Sequence, residues 1–390
     1  MKICLAVCEY NPFHNGHALH LRSMKELTGA DYVAVIMSGN FTQRGEIAVC
    51  DKFTRARHAV EAGADAVFEL PTVFATANAE IFAKGAVKLL GALPGEKTLF
   101  FGAESGTKED FTVAAKILSD ESKEFKKLLK TQLKDGISLA KAKMNALSEM
   151  QTDMDVELLK SPNNILGIEY TRAIFEGGFD MDIYPFPRQG AGYNDLKIYK
   201  DLSSASAIRQ AINDGKKKKI KKNVPPFVYG DLPDKLPSAD DLTFYSVIMN
   251  DKKTLAEISD CTEGLENRLK SAAKDSYNLT ELKEKVATKR YTNTRINRIL
   301  TSSLLGISEK FIDKCMRSDL YLNVLSVKDD SVKLLSEIKQ NCKIPLISRK
   351  NDVDSLKGTA LECFEKDVLA NDIYNFAAGI KTNEYMMLKV

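Results

Sequence analysis

The sequence predicts an α/β fold: a parallel sheet with helical crossovers, followed by a mostly helical C-terminal domain. Three observations carry this. Short apolar runs rich in β-branched residues alternate with segments whose apolar residues recur at helical spacing. Those runs are apolar at successive positions, as in strands buried on both faces. Beyond about residue 235 the helical spacing dominates.

The elements follow in order. "KICLAVCE" (2–9) is a buried strand, and "GHALHLRSMKELTGA" is a helix that stops at Gly29. "DYVAVIMSG" is a second strand ending at Gly39. "DKFTRARHAVEAGA" is a helix capped by Asp51 and ended near Gly63. "DAVFELP" is a third strand, stopped by Pro71. The helix "NAEIFAKGAVKLLGAL" and the strand "TLFFGAES" complete the alternation. Residues 107–160 are helical and lysine-rich, an insertion or lid. "FDMDIYPFPRQG" is a further strand with its loop, and "GKKKKIKKNVPPF" is a linker or surface arm. The strongest later signals are "NTRINRILTSSLLG" and "DVLANDIYNFAAGI"; no internal repeat is present. In parallel sheets of this Rossmann-like kind ligands bind beyond the carboxyl ends of the strands. "NPFHNGH", "SGNFTQRGE", "ELPT" and "GAESG" all follow strands and should share one rim.

The length suits two or three domains of roughly 150 residues. With 44% hydrophobic residues the chain can build real cores; 56 basic residues nearly balance 53 acidic ones, so the net charge of +3 says little about partners. Cysteine occurs seven times, an odd number with no C-x-x-C, which reads as reduced thiols in a reducing compartment. The N-terminus opens on a strand pattern, unlike a signal peptide. No apolar run reaches about 18 residues, so no helix is expected to span a membrane. The expectation is a soluble cytoplasmic protein.

All four histidines lie between His14 and His58, and two of them sit in "HNGH" at a strand-to-helix turn. A helix N-terminus offers free N–H groups and a positive dipole end, which suits a phosphate. Gly16 lets the backbone approach a ligand. His14 and His17 can donate to phosphate oxygens and stabilise the charge of an in-line attack on the α-phosphate of ATP. A zinc site from His14, His17 and His20 lacks a completing ligand unless Glu9 joins from the strand, so no protein-held metal is expected.

"NPFHNGH" resembles the signature of the HIGH-motif nucleotidyltransferase superfamily. "VCEYNPFHNGHALHL", "SGNFTQRGE", "FGAESG", "SPNNILGIEY" and "PRQGAGYND" together resemble the bacterial tRNA(Met) cytidine acetate ligase family. The resemblance implies a nucleotidyltransferase-like catalytic domain over 1–225, with the insertion at about 107–160, and a helical, tRNA-contacting domain over 226–390. It implies an ATP-dependent ligase that forms acetyl-adenylate from acetate and acetylates N4 of the wobble cytidine of elongator tRNA(Met), without acetyl-CoA and with Mg²⁺ on the phosphates. It also assigns the nucleotide to Val7, Cys8, Glu9, Tyr10, Asn11, Pro12, Phe13, His14, Asn15, Gly16, His17, Ala18, Leu19 and His20, and to Gly102, Asn163, Arg188 and Gln189. The alternative is an adenylyltransferase moving AMP onto a phosphate-bearing metabolite, which needs no long basic second half.

Other residues fit phosphate or RNA chemistry. Glu104 follows Gly102 on the same rim. "SPNN" is a helix start with Ser161 capping and Pro162 in the first turn. "LSSASAIRQ" offers Ser203, Ser204, Ser206 and Arg209 for the departing phosphates, or a simple N-cap. Arg44, Lys52, Arg55 and Arg57 are cations near the second rim, with Lys52 and Arg55 on one helix face. For RNA, the lysine block 216–222 is an electrostatic footprint. Lys289, Arg290, Arg295 and Arg298 around Tyr291 offer a basic helix face with a ring that can stack on a base.

Overall fold

The computed structural model describes all residues except 121, 135–138, 151–153, 188–202 and 386. Five strands, β1 (Lys2–Cys8), β2 (Tyr32–Ser38), β3 (Ala66–Leu70), β4 (Glu96–Ala103) and β5 (Asp182–Pro187), form the expected parallel core. Their order is β5-β4-β1-β2-β3, with helices in the crossovers, among them α1 (Asn15–Thr28) after β1 and α2 (Lys52–Glu61) after β2. β1, β2 and β3 are buried through most of their length, which is why their sequences are apolar on both faces. α1 ends as expected at Gly29, whose φ of 61° is left-handed, a conformation glycine adopts without steric cost. Asp51 caps α2 by accepting from the amides of Phe53 and Thr54, both at 3.0 Å.

The sheet does not stop at β3. Three more strands come from the far end of the chain: β6 (Leu322–Val327), β7 (Leu346–Ile347) and β8 (Leu388–Lys389). β6 pairs antiparallel with β3, and β7 and β8 each pair with β6. The second half is mostly helical, as expected, but a boundary at residue 225 does not follow the cores. One core joins Ile3, Leu5 and Phe68 to Leu322, Val324 and Phe364. A separate core, from Val247 to Leu300, belongs to a helical module between them. β6 is only six residues long and every one is buried, so its apolar run could equally be read as helix core.

The insertion is helical, with helices Lys108–Ser119, Lys123–Lys134 and Leu139–Glu149, and it packs on the main core through Phe111, Leu118, Phe125 and Leu147. The lysine block is a built turn rather than a loose linker: Ile220 within it is buried in the core against α1. Among the described residues no helix is long and apolar enough to cross a membrane.

The charged residues of α2 depart from expectation. Lys52 and Arg55 are fully buried and face no ligand. The Lys52 ammonium lies 2.8 Å from both Glu69 carboxylate oxygens and also contacts Glu384, with Asp367 close by. One buried ammonium cannot neutralise three carboxylates. Burial accordingly holds the Asp367 carboxyl up at about 7 and that of Glu384 up at about 8. In the unfolded chain both would lose their protons near about pH 4. The folded state therefore binds more protons between those values, and the stability these groups contribute falls as pH rises through that window. The variant Glu384→Gln should gain stability relative to the unchanged protein between about pH 5 and about pH 8, by at most about 1.4 kcal/mol per pH unit. Urea unfolding at each pH reads this difference, and a constant offset would contradict a protonated Glu384.

Candidate active site

The loop between β1 and α1 is built by short-range capping. His14 is the N-cap of α1: its Nδ1 accepts from the Gly16 amide at 3.1 Å. His17 Nδ1 in turn accepts from the His14 amide at 3.3 Å. This is a capping box made of two imidazoles in place of the usual hydroxyl and carboxylate. The rings stack with centroids 3.6 Å apart and planes 17° from parallel. Tyr10 packs on His17 at 4.9 Å and on Phe13 at 4.8 Å, which seats both rings on the core.

This arrangement corrects the expectation of free amides at the helix start. The Asn15 amide donates to the Asn223 carbonyl, the Gly16 amide to His14 Nδ1, and the His17 amide to the His14 carbonyl. The amides instead polarise the imidazoles. With both Nδ1 atoms accepting, a neutral ring carries its proton on Nε2. Each histidine thus passes the dipole of the helix end outward as an N–H donor.

The loop is held from three sides. Arg209 donates to the Asn11 carbonyl at 2.7 Å. The Asn11 side chain accepts from the Val49 amide at 2.8 Å, and the Glu9 carboxylate accepts from the Gln43 amide at 2.6 Å. Burial raises the Glu9 carboxyl above its ordinary range, with Glu46 adding to the rise and Arg209 opposing it. From below, Arg55 donates to the carbonyls of Glu9 at 2.7 Å and Ser38 at 3.1 Å, and also to that of Gly39.

These groups surround a cavity of about 230 Å³ at the carboxyl ends of the strands. Val7, Cys8, Glu9, Tyr10, Asn11, His14, Gly16, His17, Leu19, His20, Gly102 and Asn163 line it. Pro12, Phe13, Asn15 and Ala18 do not: Phe13 is core, Ala18 packs against it, and the Asn15 side chain donates to the Lys222 carbonyl. Arg188 and Gln189 lie outside the described residues. Of the further candidates, Arg44, Ser203, Ser204, Ser206 and Arg209 line the cavity. Ser204 does both things expected of it, since it also caps helix Ala205–Asn213 at 3.1 Å. Asn163 donates to the Glu104 carboxylate at 2.6 Å, while Ser161 occupies the N-cap position without a side-chain bond. Phe82, Leu166, Tyr170 and Phe186 supply an apolar wall that no motif announces, and Thr42, Gln43 and Glu46 complete the "SGNFTQRGE" loop. The fourth histidine, His58, is buried elsewhere against Asp231 at 2.7 Å. Arg57 pairs with Glu61 and Asp231 rather than with a ligand.

The basic face of helix Asn293–Leu305 is partly consumed inside the protein. Arg298 grips the Asp260 carboxylate at 3.0 and 2.8 Å, Arg295 donates to the Asp260 carbonyl at 2.9 and 2.7 Å, and Arg290 pairs with Glu263. The Arg295 guanidinium lies 5.3 Å from the Tyr291 ring centroid. Lys289 is exposed. Among the described residues no group of three His, Cys, Asp or Glu could hold a metal ion.

Comparison with known proteins agrees with this geometry. The HIGH Nucleotidyl Transferase family model matches residues 1–387. The tRNA(Met) cytidine acetate ligase of Thermoanaerobacter sp. (strain X514) is 38% identical over 97% of this chain and 96% of its own. That of Clostridium perfringens (strain ATCC 13124) is 37% identical over 96% and 95%. The crystal structure of apo Thermotoga maritima TmcAL superposes over 100% of both chains, with a TM-score of 0.92 at 30% identity. The form bound to alpha-thio ATP gives 0.89 at 29% over the same coverage.

The capping role of His14 has a measurable cost. His14→Ala should destabilise the fold by about 1 kcal/mol in urea unfolding, whereas His14→Asn, a strong N-cap, should stay within about 0.5 kcal/mol of the unchanged protein. Equal losses in both variants would contradict the cap.

Proposed function

Because this chain belongs to the tRNA(Met) cytidine acetate ligases of the HIGH nucleotidyl transferase family, we propose that its histidine cavity joins acetate to tRNA at the expense of ATP. The observation that carries the reading is the stacked His14–His17 pair, with both Nδ1 atoms held by backbone amides at the start of α1. ATP enters with its phosphates toward this pair and Arg209. An acetate oxygen attacks the α-phosphorus, and pyrophosphate leaves in line. The two Nε2–H donors, already oriented, meet the charge that develops on the phosphate oxygens without reorganising.

Acetyl-adenylate is a mixed anhydride and must be kept from water. The apolar wall from Phe82, Leu166, Tyr170 and Phe186 fits that need. In the second step N4 of a cytosine forms a bond to the acetyl carbon, the anhydride C–O bond breaks, AMP leaves with the electron pair, and the surplus amine proton is released. The base must be splayed out of its stack to reach the site. Mg²⁺ is the cation expected to arrive with ATP, because it binds through phosphates and water with few protein ligands. No protein cage for it is present among the described residues, and no step is assigned to it.

For the tRNA we assign the helical module and the lysine turn. Lys218, Lys219, Lys221, Lys222 and Lys289 are exposed cations, with Arg290 and Tyr291 beside them, while Arg295 and Arg298 hold the Asp260 loop that shapes this surface. The free thiols fit a reducing cytoplasm.

The test is incorporation of labelled acetate into bacterial tRNA with ATP and without acetyl-CoA. Label should appear as N4-acetylcytidine. His17→Ala should lower the rate by about 10²–10³, the cost of one oriented donor to a charged transition state. Pyrophosphate release with AMP moved onto a small acceptor, and no label in tRNA, would establish the adenylyltransferase reading instead.

A further inference from the structure

A second cavity, of about 350 Å³, adjoins the first. The loop from Asn40 to Val49 is the wall between them. Gln43 and Arg44 line the histidine cavity, Phe41 and Ile47 line the second, and Glu46 and Arg209 line both. The Arg209–Glu46 ion pair, at 3.5 Å, lies at the threshold.

The opposite wall comes from the helical module, through Asn297 and Leu300 of helix Asn293–Leu305 and Lys283 of helix Leu279–Val286. Gly45 joins the two walls. Its φ is +68°, and a Cβ there would lie 2.4 Å from the backbone of Asn297. Thr301 donates to the Gly45 carbonyl at 2.9 Å and fixes the contact. The cavity is therefore bounded by the catalytic loop on one side and by the module assigned to tRNA on the other.

One atom in this wall is unexplained by the fold. The Asn297 amide oxygen is buried and accepts no hydrogen bond, a state that costs free energy unless a donor arrives. A volume of this size suits a small ligand.

We propose that this second cavity is the acceptor subsite, which receives the single cytosine nucleotide of the RNA that is to be acylated. The inference rests on the ligase reading above and deepens it. An acyl-adenylate and an amine must meet, and a cavity sharing Glu46 and Arg209 with the histidine site puts them on either side of one threshold. The edge of cytosine presents an amine N–H next to a ring-nitrogen acceptor. The Asn297 side chain is complementary: its oxygen accepts from one N4–H and its NH₂ donates to N3. The second N4–H stays free toward the acyl carbonyl. Phe41 and Leu300 offer apolar surface to the ring faces, and Lys235 and Lys283 offer positive charge to the flanking phosphates.

Two half-reactions separate the claims. Acetate-dependent exchange of pyrophosphate into ATP, without RNA, reports adenylation; transfer of labelled acetate to tRNA reports the acceptor step. Asn297→Ala should lower kcat/KM for tRNA by about tenfold or more, the worth of a lost buried hydrogen bond. Exchange should stay within about twofold. Lys283→Glu, at a half-buried helix position that tolerates change, should raise KM for tRNA in the same selective way. Free cytidine should inhibit transfer but not exchange in the unchanged protein, and should inhibit Asn297→Ala less. Transfer unaffected by both substitutions, or exchange and transfer falling together, overturns the subsite. An unchanged protein with no acetate-dependent exchange overturns the ligase reading, and the subsite with it, through a different assay.

Discussion

The guanidinium of Arg55 lies wholly inside the protein, with donors on the carbonyls of Glu9, Ser38, Gly39 and Cys50. Those carbonyls are where β1 and β2 run out and would otherwise end unpaired in the interior. A buried cation is costly unless every donor is met, and buried carbonyls are costly unless every acceptor is met. Arg55 settles both demands at once, and so fixes where the first two strands stop and where their loops begin. Everything that lines the histidine cavity from these loops is placed relative to that point. One turn earlier on α2, Lys52 does the same for acidic groups, drawing together Glu69 of β3 and Glu384 near the C-terminus.

The far end of the chain is thereby made part of the site's foundation. Helix Thr359–Ala378 reaches the catalytic loop three times: Asp367 accepts from the Thr72 amide at 2.7 Å, Asn371 accepts from Asn40 at 2.8 Å, and Tyr374 donates to the Val49 carbonyl at 3.4 Å. Asn40 and Val49 are the two ends of the loop that divides the cavities. The helical module lies between, in sequence, and reaches the same loop through Gly45 and Thr301. A surface that binds RNA on the module is thus one rigid contact away from the residues that line the adenylation cavity, which is the geometry a two-step transfer requires.

The histidine loop shows how a single set of side chains can serve folding and chemistry together. Capping α1 and polarising the two imidazoles are the same hydrogen bonds. The cap fixes the ring tautomer, and the tautomer fixes which nitrogen can donate to a phosphate. Stacking of the rings and the packing of Tyr10 against His17 remove the rotamer freedom that a catalytic donor would otherwise lose on reaching the transition state.

The sequence by itself determined the parallel core, its helical crossovers, the rim where the loops gather, and the family. These depend on local periodicity, on caps such as Asp51 and Gly29, and on contiguous motifs, all of which are written in neighbouring residues. Tertiary structure alone decided the rest. Lys52 and Arg55 share a helix face as ordinary surface cations would, and only the carboxylates and strand ends folded against them show that they are buried. Arg295 and Arg298 read as an RNA-facing stripe until Asp260, roughly three dozen residues away, takes both. β6 is too short to distinguish from core helix without its partner β3. The apolar wall and the second cavity are assembled from residues more than two hundred positions apart, such as Glu46 and Asn297. Such contacts leave no periodic trace, because the pairing energy comes from groups that meet only after the chain has closed its longest loops.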